Sequence, residues 1–327
     1  MYKNVTIAEI AKRANVSTAT VSRALNGASS VKESTRNLIL STANSIAREN
    51  STRPANESRI ILASFPNLSN PFYANMFKGI LDAVASRNYK VVFYAMDNYT
   101  AKDSYSFFSE NVFFDGLIIA HAVPDYHYLD SVRERVPIVM CAEHNEGEIG
   151  PYVAIDDYEA AYNAVRYLIS TGRKKIAMLN SSLRNNYARH RERAFRDCLA
   201  AYGLPLREDW IVHSSEVNYY LGLTAASQLL NKPDKPDAIF CVSDVFAAAT
   251  INTAVGLKIA VPEDLAVVGF DNIDIATMTL PTITTVAQPT YQIGAQACQL
   301  LIDQLEYHSY VPKQVILNSE LIIRNST

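Results

Sequence analysis

Residues 6–27 read TIAEIAKRANVSTATVSRALNG, and the organisation of the chain follows from how they pattern. Thr6-Ile7-Ala8-Glu9 fits a capping box, in which the Thr6 hydroxyl and the Glu9 carboxylate take up free N–H groups at a helix start. Ile7, Ile10 and Ala11 then recur at helical spacing. Ala14-Asn15-Val16 is a short break, and Ser17 stands where it caps a second helix running to about Leu25. Val21 and Leu25, four apart, predict a buried stripe facing the first helix. Asn26-Gly27 ends the segment, since both residues tolerate positive φ. A third helix is expected over 33–46, burying Leu38, Ile39, Thr42, Ala43 and Ile46. Residues 1–46 therefore read as a small all-α unit with no strand pattern.

Two helices joined by a tight turn are able to lay the second in the major groove of DNA, about 12 Å wide. Thr18, Ala19, Ser22 and Arg23 are left facing outward, and the small ones allow close approach. Thr18 or Ala19 suits a thymine methyl, Ser22 or Thr20 a phosphate, and Arg23 guanine O6 and N7. The same pattern also fits an ordinary helical hairpin with a solvated arginine.

Charge points the same way. The formal net charge is −3. Residues 1–60 hold nine Lys/Arg against four Asp/Glu, and the remaining 267 hold 21 against 29, so a basic head precedes an acidic body. Lys and Arg release counterions from a phosphate backbone, which suits a basic head to a polyanion.

Beyond the head the pattern changes. Residues 47–60 are polar, contain Pro54 and lack periodicity, as a linker does. From 61 to 327 apolar strands alternate with amphipathic helices. Strands are expected at 60–65, 90–95, 116–120, 138–141, 175–179, 238–242 and 265–269. Helices are expected at 74–87, 157–170, 191–202, 220–230 and 245–255. Such alternation implies parallel sheets covered on both faces. About 267 residues suit two similar lobes better than one. Ligands of open parallel sheets bind beyond the carboxyl ends of the strands, so a cleft between lobes is expected.

Composition excludes several classes. With 49% hydrophobic and 19% charged residues the chain is not disordered overall. No stretch approaches the roughly 18–20 apolar residues of a membrane span, and the first twenty residues lack a signal-peptide pattern, so a cytoplasmic protein with no membrane partner is expected. Cys141, Cys198, Cys241 and Cys298 lie far apart without a CxxC pair. Reduced, packed thiols are expected rather than a disulfide or metal site. The six histidines are scattered, with no Ser–His–Asp motif, phosphate loop or metal spacing, so no catalytic residue and no cofactor is assigned. Asp156-Asp157 reads as a helix cap rather than a catalytic pair.

The 6–27 segment resembles the helix-turn-helix head of the lactose-repressor/galactose-repressor (LacI/GalR) family of bacterial regulators. The likeness continues through Asn70-Pro71-Phe72-Tyr73, the 171–177 segment TGRKKIA, Ser243-Asp244, VPEDL at 261–265, VGFDN at 268–272, TTVAQP at 284–289 and ELIIR at 320–324. The resemblance implies a dimeric transcription factor, usually a sugar-responsive repressor. Its expected architecture is an all-α helix-turn-helix head on an α/β, two-lobed, periplasmic-binding-protein-like effector domain with parallel sheets. It implies DNA contacts from Thr6, Ser17, Thr18, Ala19, Thr20, Ser22, Arg23 and Asn26. It implies effector contacts from Phe72, Tyr73, Arg191, Ser243, Asp271 and Gln288.

Three departures from the family pattern bear on function. Relatives carry a hinge helix whose leucine wedges into the minor groove, but no leucine occurs between Leu40 and Leu62 here, and Pro54 would interrupt a helix. Arg48, Arg53 and Arg59 either contact phosphates or sit in a flexible tether. Ala194 replaces the glycine of an arginine–x–x–glycine–aromatic motif that begins at Arg191. Ser243 replaces an asparagine, which removes an amide and some reach. Asp271 reads as an effector acceptor, Arg191 as a clamp on a hydroxyl or carboxylate, and Asp244 as either a cap or a ligand contact. Val217 falls where relatives often have a stacking aromatic. The expected partners are double-stranded operator DNA, a sugar-like effector and a second copy of the chain. Alternatives are a purine or phosphoprotein effector, or a cytosolic solute-binding protein.

Overall fold

A computed structural model describes residues 6–25, 31–32, 34–36, 38–39, 42–43, 46, 59–85, 87–96, 114–123, 127–144, 150–306 and 313–327. Asn26 and positions 47–58 of the linker lie outside the described residues.

In the head, helices Ile7–Arg13 and Thr18–Leu25 stand as the capping residues dictate. Thr6 Oγ1 accepts the Glu9 N–H at 3.2 Å. Ser17 Oγ accepts the Thr20 N–H at 3.1 Å and lies 2.7 Å from Thr20 Oγ1. Residues 34–36, 38–39, 42–43 and 46 are helical. The shared core holds Ile10, Ala11, Ala14, Val21, Ala24, Ile39, Ala43 and Ile46. Three expectations change here. Leu38 is exposed and Thr42 only half-buried, because the inward stripe of the third helix runs through Ile39, Ala43 and Ile46, and Leu38 is turned about 100° off it. Ala24 rather than Leu25 completes the stripe with Val21, while Leu25 packs at its margin. Ile7, the first residue of its helix, is exposed.

The body holds two six-stranded sheets. The first has the order β11-β5-β4-β3-β1-β2, from β1 (Arg59–Phe65), β2 (Tyr89–Ala95), β3 (Gly116–Ile119), β4 (Ile138–Cys141), β5 (Tyr152–Ile155) and β11 (Gln314–Leu317). The second has the order β12-β10-β9-β8-β6-β7, from β6 (Ile176–Asn180), β7 (Ile211–His213), β8 (Ala238–Cys241), β9 (Ala266–Asp271), β10 (Thr284–Ala287) and β12 (Glu320–Ile322). Every pairing is parallel except β10 with β12. β1, β3, β4, β6, β8 and β9 are buried or nearly so along their length, as central strands of a covered parallel sheet must be.

The chain passes between the lobes three times: from β5 into helix Asp157–Ser170, from β10 into helix Thr290–Glu306, and from β11 into β12. Of the five strands that periodicity missed, β5, β10, β11 and β12 flank these passages and β7 lies at a sheet edge. All five are three or four residues long, too short for an alternation signal. β1 begins at Arg59, inside the stretch read as linker: Arg59 donates to the Tyr89 hydroxyl at 2.8 Å, and the Ile60 N–H to Asp115 at 2.9 Å.

Helix Thr290–Glu306 returns to the first lobe and packs on helix Ala74–Ala85. Two glycines permit the contact. A Cβ on Gly79 would lie 2.2 Å from the Tyr291 carbonyl oxygen, and one on Gly294 would lie 2.3 Å from that of Met76. Backbone thus packs on backbone at the crossing. The four cysteines are buried and free, within the core that runs through both lobes.

Candidate functional site

The strands of each lobe point their carboxyl ends at a common cleft lined from both lobes, where open parallel sheets bind ligands. Asn70, Phe72, Tyr73, Ala120, Ala142 and Glu143 line it from loops that follow β1, β3 and β4. Tyr187, Arg191, Val217, Val242, Ser243 and Asp271 line it from the second lobe, each at or beyond the end of β6, β7, β8 or β9. Gln288 lies on the second passage between lobes. Phe72, Tyr73, Arg191, Ser243, Asp271 and Gln288 are thus brought to one cavity from both lobes.

On the first-lobe wall, Asn70 Oδ1 accepts the Phe72 N–H at 3.1 Å and starts a short 3-10 turn, Pro71–Tyr73. The turn sets the Phe72 and Tyr73 rings edge to face with centroids 5.0 Å apart. Tyr73 is anchored behind by Phe65, also edge to face at 5.0 Å. Aromatic faces held in this way suit the C–H surface of a ring-shaped ligand.

Arg191 lies in the second turn of helix Asn186–Ala201, not at a helix start as expected from periodicity. The helix begins five residues earlier because Asn186 and Tyr187 are held by the opposite lobe. The Asn186 amide donates to the His144 carbonyl, and the Tyr187 N–H to Glu143 Oε1 at 3.4 Å. Asn185, at the N-cap, makes no side-chain cap bond. The Glu143 carboxyl group of the first lobe therefore takes that role, its Oε1 accepting the free helix N–H.

The Arg191 guanidinium is already engaged by the protein. Nε and Nη2 lie 2.8 and 2.6 Å from Asp157 Oδ1, and Nη1 donates to the Val242 carbonyl at 2.8 Å. Its plane sits over the Phe270 ring, 3.5 Å from the centroid, and 4.8 Å from that of Tyr187. Of the five N–H donors of a guanidinium, three are committed, so the expected free clamp is only partly free. Asp156 caps its helix by accepting the Glu159 N–H at 2.9 Å. Asp157, read as a second cap, is instead the ion-pair partner of Arg191, because the helix start turns it into the second lobe. Arg189 and Arg193, the neighbouring alternatives, bind the Leu183 carbonyl and cover the Tyr158 ring.

Asp271 ends β9 with φ 107°, and Asn272 follows at φ 54°. This left-handed turn is uncommon for residues other than glycine and aims the carboxylate at the cleft. Gln288 Nε2 donates to Asp271 Oδ1 at 2.8 Å. Burial holds the Asp271 carboxyl well above the usual range despite Arg191 and the Gln288 bond, and Asp244 adds to the rise. Glu143 is pushed up to about 8 by burial and by Asp157, against its helix N–H bonds and Arg191.

Ser243 both lines the cleft and caps helix Asp244–Gly256, its Oγ accepting the Val245 N–H at 3.1 Å. Asp244 neither caps that helix nor reaches the cavity. Its Oδ2 accepts the Ile273 N–H at 2.9 Å, bracing the turn after Asp271. Burial raises it to about 7.

Sequence reasoning missed Glu143, Tyr187 and Asp157. Glu143 follows β4 directly, so the rule placing ligands beyond strand ends was signal enough. Tyr187 lies one helical turn before Arg191, ahead of the helix start that periodicity indicated; Asp157 carries no local signal, and only packing of helix Asp157–Ser170 on helix Asn186–Ala201 brings it to Arg191.

In the head, Thr6, Ser17, Thr18, Ala19 and Arg23 are exposed, and Thr20 and Ser22 half-exposed. The outward face of helix Thr18–Leu25 is therefore small, polar and tipped by one arginine. The Thr20 hydroxyl is shared with Ser17. Among the described residues no helix is long and apolar enough to cross a membrane.

A helix-turn-helix head on a two-lobed α/β body with a cleft between its lobes is the architecture of a ligand-responsive DNA-binding transcription regulator. Residues 6–47 match the model of the bacterial regulatory proteins of the lacI family, and residues 165–327 match the periplasmic binding protein-like domain. Catabolite control protein A of Priestia megaterium is 34% identical over 99% of this chain and 99% of its own. The HTH-type transcriptional repressor CytR of Escherichia coli (strain K12) is 33% identical over 98% of this chain and 96% of its own. Among solved structures, a complex of the transcriptional regulator CelR with cellobiose matches with a TM-score of 0.74 at 25% identity, covering 99% of this chain and 100% of that one. The chain belongs to the LacI family of bacterial transcriptional regulators.

Proposed function

We propose that this regulator is a homodimeric repressor of carbohydrate-utilisation genes, read out through a sugar-like effector bound between its lobes. Helix Thr18–Leu25 is the reading helix, with Arg23 on a guanine edge, Thr18 and Ala19 against thymine methyls, and Thr6, Ser17, Thr20 and Ser22 on the backbone. Asn26 completes the set by resemblance. Phe72, Tyr73, Arg191, Ser243, Asp271 and Gln288 hold the effector. The observation that carries this reading is the convergence of those six residues, from two lobes and a crossover, on one cleft. Relatives named as repressors, and a structural neighbour holding cellobiose, support it.

Effector draws the lobes together across the cleft and changes the dimer surface near residues 61–90, and with it the spacing of the two heads on a palindromic operator. Linkage then requires operator and effector to alter each other's affinity by one factor, typically 5–150-fold. Fluorescence anisotropy of full-length protein on duplexes from upstream of sugar-uptake operons, titrated with a panel of sugars, purines and phosphosugars, tests this. Binding that weakens steeply with salt and shifts with one sugar is expected. No duplex bound at any ionic strength, or a bound sugar that leaves operator affinity unmoved, overturns it.

A further inference from the structure

We infer that the effector carries a protonated amine, and that Glu143 is the residue that selects it. This rests on the cleft being the effector site. The cavity wall brings the carboxylates of Glu143 and Asp271 together with one guanidinium, that of Arg191, which Asp157 already neutralises at 2.6 Å. What remains is an acidic cavity without a free counter-charge among the described residues.

Asp271 is partly satisfied by the Gln288 amide. Glu143 is not. Its residue is only 7% exposed, Oε1 accepts a helix N–H, and Oε2 is buried with no hydrogen-bond partner among the described residues. An unpaired buried carboxylate oxygen is costly unless a donor or cation meets it. The charged and titratable groups around it are Asp157 and Arg191 on the helices of the second lobe, Tyr187 at the start of the second of these, Asp271 at the end of β9, and Tyr73 on the first-lobe turn. Only one of them is a cation. The described carboxylates are not grouped to hold a metal ion. An ammonium on a polyhydroxylated ring completes the arrangement: hydroxyls on Asp271 and Arg191, C–H faces on Phe72 and Tyr73, and the amine on Glu143. Because Glu143 belongs to the first lobe and Asp271 to the second, such a ligand ties the lobes together. A phosphate or carboxylate in its place finds no free cation, since Arg191 is already paired with Asp157.

Isothermal titration of the full-length protein at pH 7 with glucosamine, galactosamine and mannosamine, against glucose, galactose, mannose and glucose 6-phosphate, tests the inference. At least one hexosamine is expected to bind ten-fold or more tightly than its neutral parent, with no detectable binding of the phosphosugar. Burial keeps the Glu143 carboxyl protonated in the empty cleft, so pairing with an ammonium releases a proton. The heat of hexosamine binding is therefore expected to vary with the ionisation enthalpy of the buffer. Glu143→Gln is isosteric and is expected to bring the amine preference within about threefold and to abolish the buffer dependence. A neutral sugar bound as tightly as its amine, or a preference unchanged in Glu143→Gln, overturns the amine inference and leaves the sugar cleft standing. Failure of every hexosamine and neutral sugar to bind overturns both.

Discussion

Removing the partner of the buried arginine provides a quantitative test of the cleft's construction. Asp157 and Arg191 have side chains 8% and 5% exposed, and they meet at 2.6 Å. Breaking a pair buried to this degree by deleting one member costs about 3–5 kcal/mol, because the other charge is left in low dielectric. The Asp157→Leu protein keeps one of the guanidinium's three bonds, to Val242, and its ring contact with Phe270 at 3.5 Å, so the lower end, about 3 kcal/mol, is expected. For a body of this size that is a fall of roughly 6–12 °C in Tm, at about 2–4 °C per kcal/mol. Asp157→Leu/Arg191→Met replaces both charges with apolar groups of similar length and is expected to cost less than either single change. The assay is thermal and urea denaturation of four proteins, the wild type, Asp157→Leu, Arg191→Met and the double variant, followed by near-UV circular dichroism. A coupling energy above about 1.5 kcal/mol is expected from the cycle. If the single effects add to within about 0.5 kcal/mol, Asp157 and Arg191 do not act as a pair and the account of this wall is wrong.

Four further outcomes are expected. Arg23→Ala should weaken specific operator binding by about 1–3 kcal/mol more than non-specific binding; equal losses in a competition titration would make it a phosphate contact. Asp271→Ala should remove the response of operator affinity to effector, and a retained response would locate the effector elsewhere. Gly294→Ala drives a Cβ to within 2.3 Å of the Met76 carbonyl oxygen, so a loss of about 1–3 kcal/mol or more is expected on unfolding, and an unchanged Tm would contradict the crossing. The Glu143 carboxyl, raised by burial to about 8 in the folded protein from an ordinary value near 4.5, binds more protons folded than unfolded between those values. Its contribution is thus fully present below about pH 4.5 and lost as pH rises through about 8. Glu143→Gln should gain stability over wild type at pH 8.5 but not at pH 4.5, and equal Tm differences at both pH values would contradict the burial of that group.

The head illustrates how far local chemistry reaches. Thr6, Ser17 and the Val21 position suffice to set two helices and their inward faces, since caps and 3.6-residue periodicity act over one or two turns. They do not say which of two adjacent apolar residues turns inward: Ala24 displaced Leu25, and of Leu38 and Ile39, both expected inside, only Ile39 is buried, a matter of how three short helices cross. In the body, the apolar runs within β1, β3, β4, β6, β8 and β9 announce a doubly covered parallel sheet from composition alone. β5, β7, β10, β11 and β12 do not, because each is only three or four residues long and none is buried throughout.

The amino-acid order by itself determined the kind of molecule: a basic all-α reader, a two-lobed parallel α/β body, and the strand-end positions of Ser243 and Asp271, with Phe72, Tyr73 and Gln288 placed by resemblance. Ser243 and Asp271 stand within two residues of the end of a fully apolar strand core, so their address is local. Only the tertiary structure decided that Asp157 neutralises Arg191, that Asp244 braces a turn instead of facing the cleft, and that Glu143 reaches across to the helix starting at Asn186. Those partners, with Tyr187 for Glu143, lie 34, 29 and 44 residues apart in the chain. Charge pairing at such separations is set by how sheets and helices stack, and no spacing rule encodes it.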